Sequence, residues 1–173
     1  MTLPAAPGAG KLALDFDALY RTARDDVFAY VATLLRDRGA AEDVTALAFE
    51  RAFRKRKSFD ARKGSERAWL FGIARNAALD ELRKRKRSAR LAAEPEDVAP
   101  QPDEEMDRAL RRAAVRAAVA ALEPRERELI ALKFHAGLDN AELAAVLGVS
   151  VSNAGTRLHR ALTKLREILD DQS

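Results

Sequence analysis

Apolar residues recur every three or four positions along most of the chain, which is the spacing that one face of an α-helix requires. In the N-terminal half such stripes run over residues 15–38, 40–57 and 66–88. Gly39 follows the first stripe, and we expect it to end that helix because glycine is common just beyond a helix C-terminus. The irregular segment 58–66 predicts a loop between the second and third helices.

The C-terminal third repeats the helical pattern in shorter segments. Apolar stripes predict helices over about 106–122 and 124–134. Two more helices follow, the first closed by Gly148 and the second running from Ser150 to about Leu169. A short helix, a turn that contains glycine and a longer basic helix together predict a helix-turn-helix unit.

Residues 91–105 separate these two helical regions and differ from both in composition. They are rich in proline and acidic residues and nearly free of large apolar side chains, as is typical of a linker. We therefore predict an all-α fold of two small helical domains joined by this acidic, proline-containing linker. The N-terminal three- to four-helix unit spans 15–90, the C-terminal helix-turn-helix unit spans 106–170, and 1–14 form a mobile N-terminal tail.

The composition argues against several classes of function. The 173 residues include no cysteine and only two histidines, so disulfides and cysteine or histidine metal sites are not expected. Carboxylates clustered as metal ligands are lacking too, and we expect neither a catalytic site nor a cofactor. The chain has neither an apolar run long enough to span a bilayer nor a secretory signal, which predicts a cytoplasmic protein without membrane insertion.

The last predicted helix carries side chains suited to DNA recognition. Opposite its apolar stripe, the first turns present short hydrogen-bonding groups and cations, namely Ser152, Asn153, Thr156, Arg157 and Arg160. Such groups at the start of a helix can recognise base edges in the major groove. Gly155 lies at the margin of the two faces, where it allows close approach of the preceding helix or of a phosphate. We favour the helix, because Ala144 and Leu147 should cross nearby.

Cations are concentrated at the end of the third predicted helix, over 75–90, and again over 51–57. A run of this density attracts a phosphate backbone, whereas a helix C-terminus accounts for only one or two cations. The loop between the two runs contains Phe59, whose ring is either a stacking surface for an unpaired base or part of the core. The acidic patch 40–44 suits a helix N-terminus and would also suit a basic partner.

Three longer segments follow one another along the chain. They are GAAEDVTALAFERAFRK, RAWLFGIARNAALDELRKRKR and LEPRERELIALKFHAGLDNAELAAVLGVSVSNAGTRLHRALTKLRE. Together they resemble an extracytoplasmic-function (group 4) sigma factor of bacterial RNA polymerase, over about residues 15–169. The resemblance implies a protein that binds the polymerase core, at the beta-prime coiled coil and the beta flap, and directs promoter recognition, DNA melting and transcription initiation. Since the chain lacks cysteine and a C-terminal extension, we also expect a separate anti-sigma factor that holds it inactive.

The resemblance also implies roles for individual residues. Residues 15–90 would bind the polymerase core and recognise and melt the −10 element, and 106–170 would recognise the duplex −35 element. The implied core contacts are Glu42, Asp43, Phe49 and Arg51. The implied −10 contacts are Ser58, Phe59, Lys63, Arg75, Asn76, Asp80, Arg83 and Lys84. The implied −35 contacts are Arg127, Ser152, Asn153, Thr156, Arg157 and Arg160.

The chain departs from the family pattern at a few positions. Ala40 stands where an acidic residue is frequent, and Ala46 and Leu47 stand where a Gln–Glu pair is frequent. One acidic and two polar contacts with polymerase are therefore missing. Gly155 stands where a cation or another polar side chain is common, which leaves the −35 sequence open.

Other classes of function remain open from the sequence. A helix-turn-helix transcriptional regulator would bind operator DNA without core polymerase, but it would leave the N-terminal helices and the acidic linker without a role. An interaction module would use its basic tail to bind RNA or acidic protein non-specifically. Polymerase-dependent, sequence-specific transcription distinguishes the sigma-factor interpretation from both.

Overall fold

A computed structural model describes residues 13–88 and 106–172, and within these ranges the chain forms helices and no β-strand. The helices are α1 Phe16–Leu35, α2 Arg38–Arg54, α3 Glu66–Ser88, α4 Met106–Ala121, α5 Pro124–Phe134, α6 Asn140–Leu147 and α7 Val151–Asp171. The predicted all-α fold of two helical units is confirmed. Most of the tail predicted at 1–14 and all of the linker predicted at 91–105 lie outside the described residues.

The N-terminal unit consists of α1, α2 and α3, which pack pairwise around an alanine-rich core. Tyr30 and Phe71 are its largest fully enclosed side chains, and their rings meet edge to face with centroids 5.5 Å apart. Small buried residues make up much of the rest of this core, so the helices can approach closely. These are Ala23, Ala41, Ala48, Ala52, Ala74, Ala77 and Ala78.

The corner between α1 and α2 differs from the sequence-based prediction. Helix α1 ends at Leu35, and Arg36 takes the left-handed conformation that closes it, with φ of 54°. Asp37 then caps α2 by accepting a hydrogen bond of 3.0 Å from the backbone N–H of Ala40. The prediction that Gly39 ends the first helix is wrong, because the strong aspartate cap places Gly39 inside the first turn of α2.

Capping groups define the helices of the C-terminal unit. Asp139 and Glu142 form a reciprocal capping box at the start of α6, with hydrogen bonds of 2.8 and 3.0 Å. Gly148 ends α6 with φ of 67°, a conformation that glycine adopts without strain. Ser150 caps α7 by accepting a hydrogen bond of 3.1 Å from the backbone N–H of Asn153. These caps form the predicted helix-turn-helix and aim the first turn of α7 outward.

The two units pack against each other in this structure. Helix α5 of the C-terminal unit lies against α1, and α6 lies against α3. A single cluster of buried apolar side chains continues from α1–α3 into α5–α7. The position of each candidate binding residue therefore depends on this contact as well as on its own helix.

Candidate nucleic-acid interface

An open groove lies beside the first turns of α7. It is lined by Ser150, Ser152, Asn153, Thr156, Arg157 and Arg160. The structure therefore brings together five of the six residues that the sequence predicted for −35 recognition, and all five are exposed. Their hydroxyl, amide and guanidinium groups can donate to or accept from base edges and phosphates.

Gly155 has more room than the sequence suggested. A Cβ atom built on it would lie 3.5 Å from Nδ2 of Asn140, which is an ordinary van der Waals distance. The neighbour is thus the first residue of α6, instead of Ala144 or Leu147 as expected. An added Cβ atom at this position would therefore displace no backbone atom.

The sixth predicted −35 residue, Arg127, is used inside the C-terminal unit. Its guanidinium donates hydrogen bonds to the carbonyl oxygens of Val119, Ala120 and Leu122, at 3.3, 2.8 and 2.9 Å. These carbonyls lie at the C-terminal end of α4, where acceptors lack helical partners. Partial burial lowers the pKa of the Arg127 guanidinium from its usual value. In this structure Arg127 thus caps a helix end, because its donors face carbonyl groups, and its assignment to DNA stays a prediction.

The basic stretch of α3 presents several of the predicted −10 residues to solvent. Asn76, Arg83 and Lys84 are exposed along this helix. Asp80 lies among them and pairs with Arg51 of α2 at 3.3 Å and with Arg83 at 3.2 Å. The carboxylate of Asp80 therefore orients two cations, and the surface as a whole remains suited to a phosphate backbone.

Arg75 is oriented toward the C-terminal unit. Its Nε donates a hydrogen bond of 2.5 Å to Oε1 of Glu128 in α5, and the Tyr30 hydroxyl donates to the same oxygen at 3.4 Å. Burial and the Glu128 carboxylate raise the pKa of Tyr30 well above its usual value, so its hydroxyl keeps the proton that it donates. In this structure Arg75, a predicted −10 residue, is therefore paired with a carboxylate of the C-terminal unit.

The loop between α2 and α3 holds the remaining predicted −10 residues. Ser58 and Lys63 are exposed, but Phe59 is only 4% exposed and packs edge to face against Trp69, with centroids 5.6 Å apart. A ring enclosed in this way offers no surface to a base. This packing matches the core alternative that the sequence left open, and the assignment of Phe59 to the −10 element stays a prediction. Ser65 closes the loop by accepting from the backbone N–H of Ala68 and donating to Glu142.

The predicted polymerase contacts divide into exposed and buried groups. Glu42 and Asp43 are exposed on α2, next to the partly exposed Leu47. Phe49 is 5% exposed and packs edge to face on Tyr20, with ring centroids 4.9 Å apart. The ring of Phe49 thus belongs to the core beneath this surface, and its assignment to a polymerase contact stays a prediction. Arg51 pairs with Asp80 of α3 and joins the two helices.

Three charged residues with clear roles were missed by the sequence analysis. Arg67 and Arg85 donate to carbonyl and carboxylate oxygens of neighbouring helices, and Glu128 is buried between the two units. One signal was available for Glu128, because an acidic residue among Leu129, Ile130 and their apolar neighbours requires a partner. The two arginines stand in stretches of similar cations and carry no such signal.

Within the described ranges, acidic and histidine side chains form no group that could hold a metal ion. Among the helices in those ranges, none is both long and apolar enough to cross a membrane.

Comparisons with known proteins agree with this arrangement. The sigma-70 region 2 family matches residues 19–88, and the sigma-70 region 4 family matches residues 112–165. Two solved structures have similar folds, and each is a complex with a second protein. The sigma factor RpoE with the anti-sigma factor NepR from Bartonella quintana gives a TM-score of 0.76 at 26% identity, covering 90% of this chain and 97% of that one. CnrH with the cytosolic domain of CnrY gives a TM-score of 0.68 at 27% identity, covering 91% of this chain and 89% of that one.

Two relatives are similar along most of the chain. The ECF RNA polymerase sigma factor BldN of Streptomyces coelicolor is 30% identical over 162 residues, which cover 91% of this chain and 61% of BldN. The chain thus spans less than two thirds of the length of that relative. The ECF RNA polymerase sigma factor SigK of Mycobacterium tuberculosis is 31% identical over 162 residues, which cover 90% of this chain and 86% of SigK. The chain belongs to the family of ECF RNA polymerase sigma factors.

Proposed function

We propose that this chain binds the RNA polymerase core and directs promoter recognition, DNA melting and transcription initiation, without catalysing a reaction itself. The observation that carries the proposal is the groove beside α7, in which five polar and cationic side chains converge at a helix start. The family to which the chain belongs supports the same function. A protein that acts with bacterial RNA polymerase would work in the cytoplasm.

The two units would contact two promoter elements. Residues 106–170 would recognise the −35 element through Ser152, Asn153, Thr156, Arg157 and Arg160. Residues 15–90 would recognise and melt the −10 element through exposed groups of α3 and the preceding loop. Those groups are Ser58, Lys63, Asn76, Arg83 and Lys84, with Arg75 available once it is released from Glu128.

The protein partners would use other surfaces. Glu42 and Asp43 form an exposed acidic face on α2 that suits a basic partner, which we assign to the beta-prime coiled coil of the polymerase core. The C-terminal unit would contact the beta flap. A separate anti-sigma factor would hold the chain inactive, which the similar complex of RpoE with the anti-sigma factor NepR supports.

Run-off transcription tests this function. Purified bacterial core polymerase, with and without the chain, would be given a library of promoters, and discrete starts should appear only when the chain is present. Arg157→Ala with Asn153→Ala should abolish most of those starts, whereas Arg166→Ala, exposed farther along the same helix, should preserve them.

Two results would contradict the proposal. Absence of new starts together with absence of a complex with core would refute the sigma-factor function. Tight binding of the free chain to duplex operator DNA would then favour the helix-turn-helix regulator instead.

A further inference from the structure

We propose that Ser88, at the C-terminal end of α3, is a phosphorylation site for a serine kinase that recognises the cations preceding it, with ATP as the phosphate donor. The added phosphate would weaken the contact of α3 with promoter DNA. The second part of this inference rests on the proposed function, because it assigns a form of regulation to the −10 surface. The first part does not depend on that function.

The cations before Ser88 form the recognition signal. Residues 83–87 read RKRKR, and Ser88 follows directly as the last residue of α3. Kinases select peptides partly by complementary charge, so this stretch suits a kinase whose peptide-binding groove is acidic. The exposed residues of the stretch are Arg83, Lys84, Lys86, Arg87 and Ser88.

Most other serine and threonine hydroxyls in the described ranges are engaged or enclosed. They donate to protein oxygen atoms, cap a helix or are buried, namely those of Thr22, Thr33, Thr45, Ser58, Ser65, Ser150 and Thr163. Ser152 and Thr156 are exposed, but the three residues before each of them carry no charge. Within these ranges Ser88 is therefore the exposed hydroxyl that directly follows a run of cations.

The position of Ser88 in its helix gives a kinase access. Helix ends open at little cost in free energy, so residues 86–88 can leave the last turn and extend into an active site. Arg85 marks where this opening would stop, because it donates to Asp37 and Glu81 at 2.8 and 3.2 Å. Opening of the last turn would therefore leave the packing of α3 on its neighbours intact.

The transfer requires ATP and magnesium, which accompany the kinase. Oγ of Ser88 attacks the γ-phosphorus of ATP. The new Oγ–P bond forms as the bond from that phosphorus to the bridging oxygen breaks, ADP leaves, and the hydroxyl proton passes to a base of the kinase. The product carries about two negative charges at neutral pH.

These charges fall within the surface predicted for the −10 element. Lys84, one of its members, lies four residues before Ser88, which is contact spacing on a helix surface. A phosphate at position 88 would pair with Lys84 and reduce the attraction of the neighbouring cations for a DNA backbone. An anion is also unfavourable at a helix C-terminus, so the phosphate would weaken the last turn, which carries Lys86 and Arg87.

A kinase assay tests the site. The full chain would be incubated with ATP, magnesium and the catalytic subunit of protein kinase A, a serine kinase that selects arginine before serine, and mass spectrometry would locate the phosphate. We expect one phosphate at Ser88 and none in Ser88→Ala. The reaction should be at least about tenfold slower in Lys86→Ala with Arg87→Ala, because two charge contacts with the kinase are lost. Phosphate at other residues only, or an equal rate in the doubly substituted chain, would overturn the site.

Chains with phosphoserine incorporated at position 88 during translation test the effect on DNA without a kinase. The control carries phosphoserine in place of Gln172, which is exposed at the C-terminal end of α7 and follows Asp170 and Asp171. It adds the same charge at a matching helix end that has no cations directly before it. Fluorescent oligodeoxythymidylate is the probe, because attraction to the backbone does not depend on base sequence.

We expect the phosphate at position 88 to weaken oligonucleotide binding about tenfold. It should also make the slope of log affinity against log salt shallower by about 1.4, the value for two lost contacts with a single strand. The control should lose less than about twofold in affinity, since distant charges are screened by salt. Equal losses in the two chains, or unchanged binding of the chain modified at position 88, would overturn the regulatory part.

Run-off transcription with core polymerase separates this inference from the proposed function. Less transcript from the chain phosphorylated at position 88 than from the control would support both, whereas equal transcript from the two would overturn the regulatory part. Weakened oligonucleotide binding with no transcript from any chain, the unmodified one included, would leave the phosphate effect standing and refute the proposed function.

Discussion

The guanidinium of Arg85 in α3 donates a hydrogen bond of 2.8 Å to Oδ2 of Asp37, the residue that caps α2. The same guanidinium donates to the carbonyl oxygen of Leu35, at 3.1 Å, where α1 ends. One side chain therefore joins the end of one helix, the start of the next and a third helix. Arg85 belongs to the run of cations in α3 whose other members suit DNA binding.

Substitutions at Arg85 and at its neighbour Lys84 should affect two different properties, stability and DNA binding. We expect Arg85→Ala to lower the free energy of unfolding by about 1 kcal/mol, a moderate value because the side chain is about one third exposed. Lys84→Ala, one position away and exposed, should leave stability unchanged and weaken binding to −10 DNA. Urea unfolding and oligonucleotide titration measure the two effects. Equal stability of the two variants would contradict the structural role of Arg85.

The Asp37 cap should make stability depend on acid pH. Its pKa is lowered, chiefly by the hydrogen bond from the Ala40 backbone and further by Arg85, so the folded state favours the carboxylate. The resulting stability is present above the unfolded-state pKa of about 3.9 and is lost as pH falls through the lower folded-state pKa. In Asp37→Asn an amide oxygen still caps the helix. Its melting temperature should fall less than that of the natural chain between neutral and acid pH, and parallel curves would refute the assignment.

Gly155→Ala should stabilise the protein. An alanine Cβ would meet Asn140 at an ordinary contact distance, and alanine is favoured over glycine inside a helix by about 1 kcal/mol. Gly148→Ala is the matched comparison, because its φ of 67° is unfavourable for alanine. Thermal unfolding should therefore move in opposite directions for the two substitutions. A loss of stability in Gly155→Ala would mean that α6 and α7 are closer than in this structure.

Thr45 offers a second stabilising substitution. Its hydroxyl oxygen is buried and has no hydrogen-bond partner among the described residues. Replacement by the similarly shaped valine removes this unpaired group and should raise the free energy of unfolding by about 1 kcal/mol. Thr163→Val is the control, since the Thr163 hydroxyl is exposed and already donates to the His159 carbonyl. If Thr45→Val destabilises the chain, that hydroxyl must have a partner such as a bound water.

Phe59→Ala should disturb the core and report it optically. The ring packs on Trp69, the one tryptophan of the sequence, so its removal should shift the tryptophan emission to longer wavelength. We expect a loss of about 3 kcal/mol in the free energy of unfolding, as for other buried aromatic residues. Phe134→Ala, at a residue that is 65% exposed, should change neither property substantially. Unchanged emission in Phe59→Ala would mean that the Phe59 ring lies at the surface, where it is available to DNA.

Much of the fold could be predicted from local pattern. The stripes of α1, α3 and α7 have the helical period. Gly148 ends α6 and Ser150 begins α7 through interactions with near neighbours in the chain. The error at Gly39 also has a local cause. Asp37, two positions before Gly39, is the stronger signal for a helix boundary. The left-handed conformation of Arg36 cannot be anticipated from the sequence, because residues other than glycine rarely adopt it.

The candidate site was predictable only where exposure follows from helix geometry. The polar face of α7 could be assigned from the 100° advance per residue, and the structure places those side chains in one groove. Arg75 and Glu128 stand 53 positions apart, and no periodicity relates them. Arg127 and Arg157 are the same residue type on neighbouring helices, and only tertiary packing makes the first a cap and the second a groove residue.

The room beside Gly155 has an evolutionary consequence. The position borders the groove of α7, and its nearest neighbour is the side chain of Asn140, an exposed residue that can turn aside. A single nucleotide change could therefore add a new functional group to the recognition surface without a compensating change in the core. Promoter preference in descendants of this protein can diverge through that one codon while the scaffold stays the same.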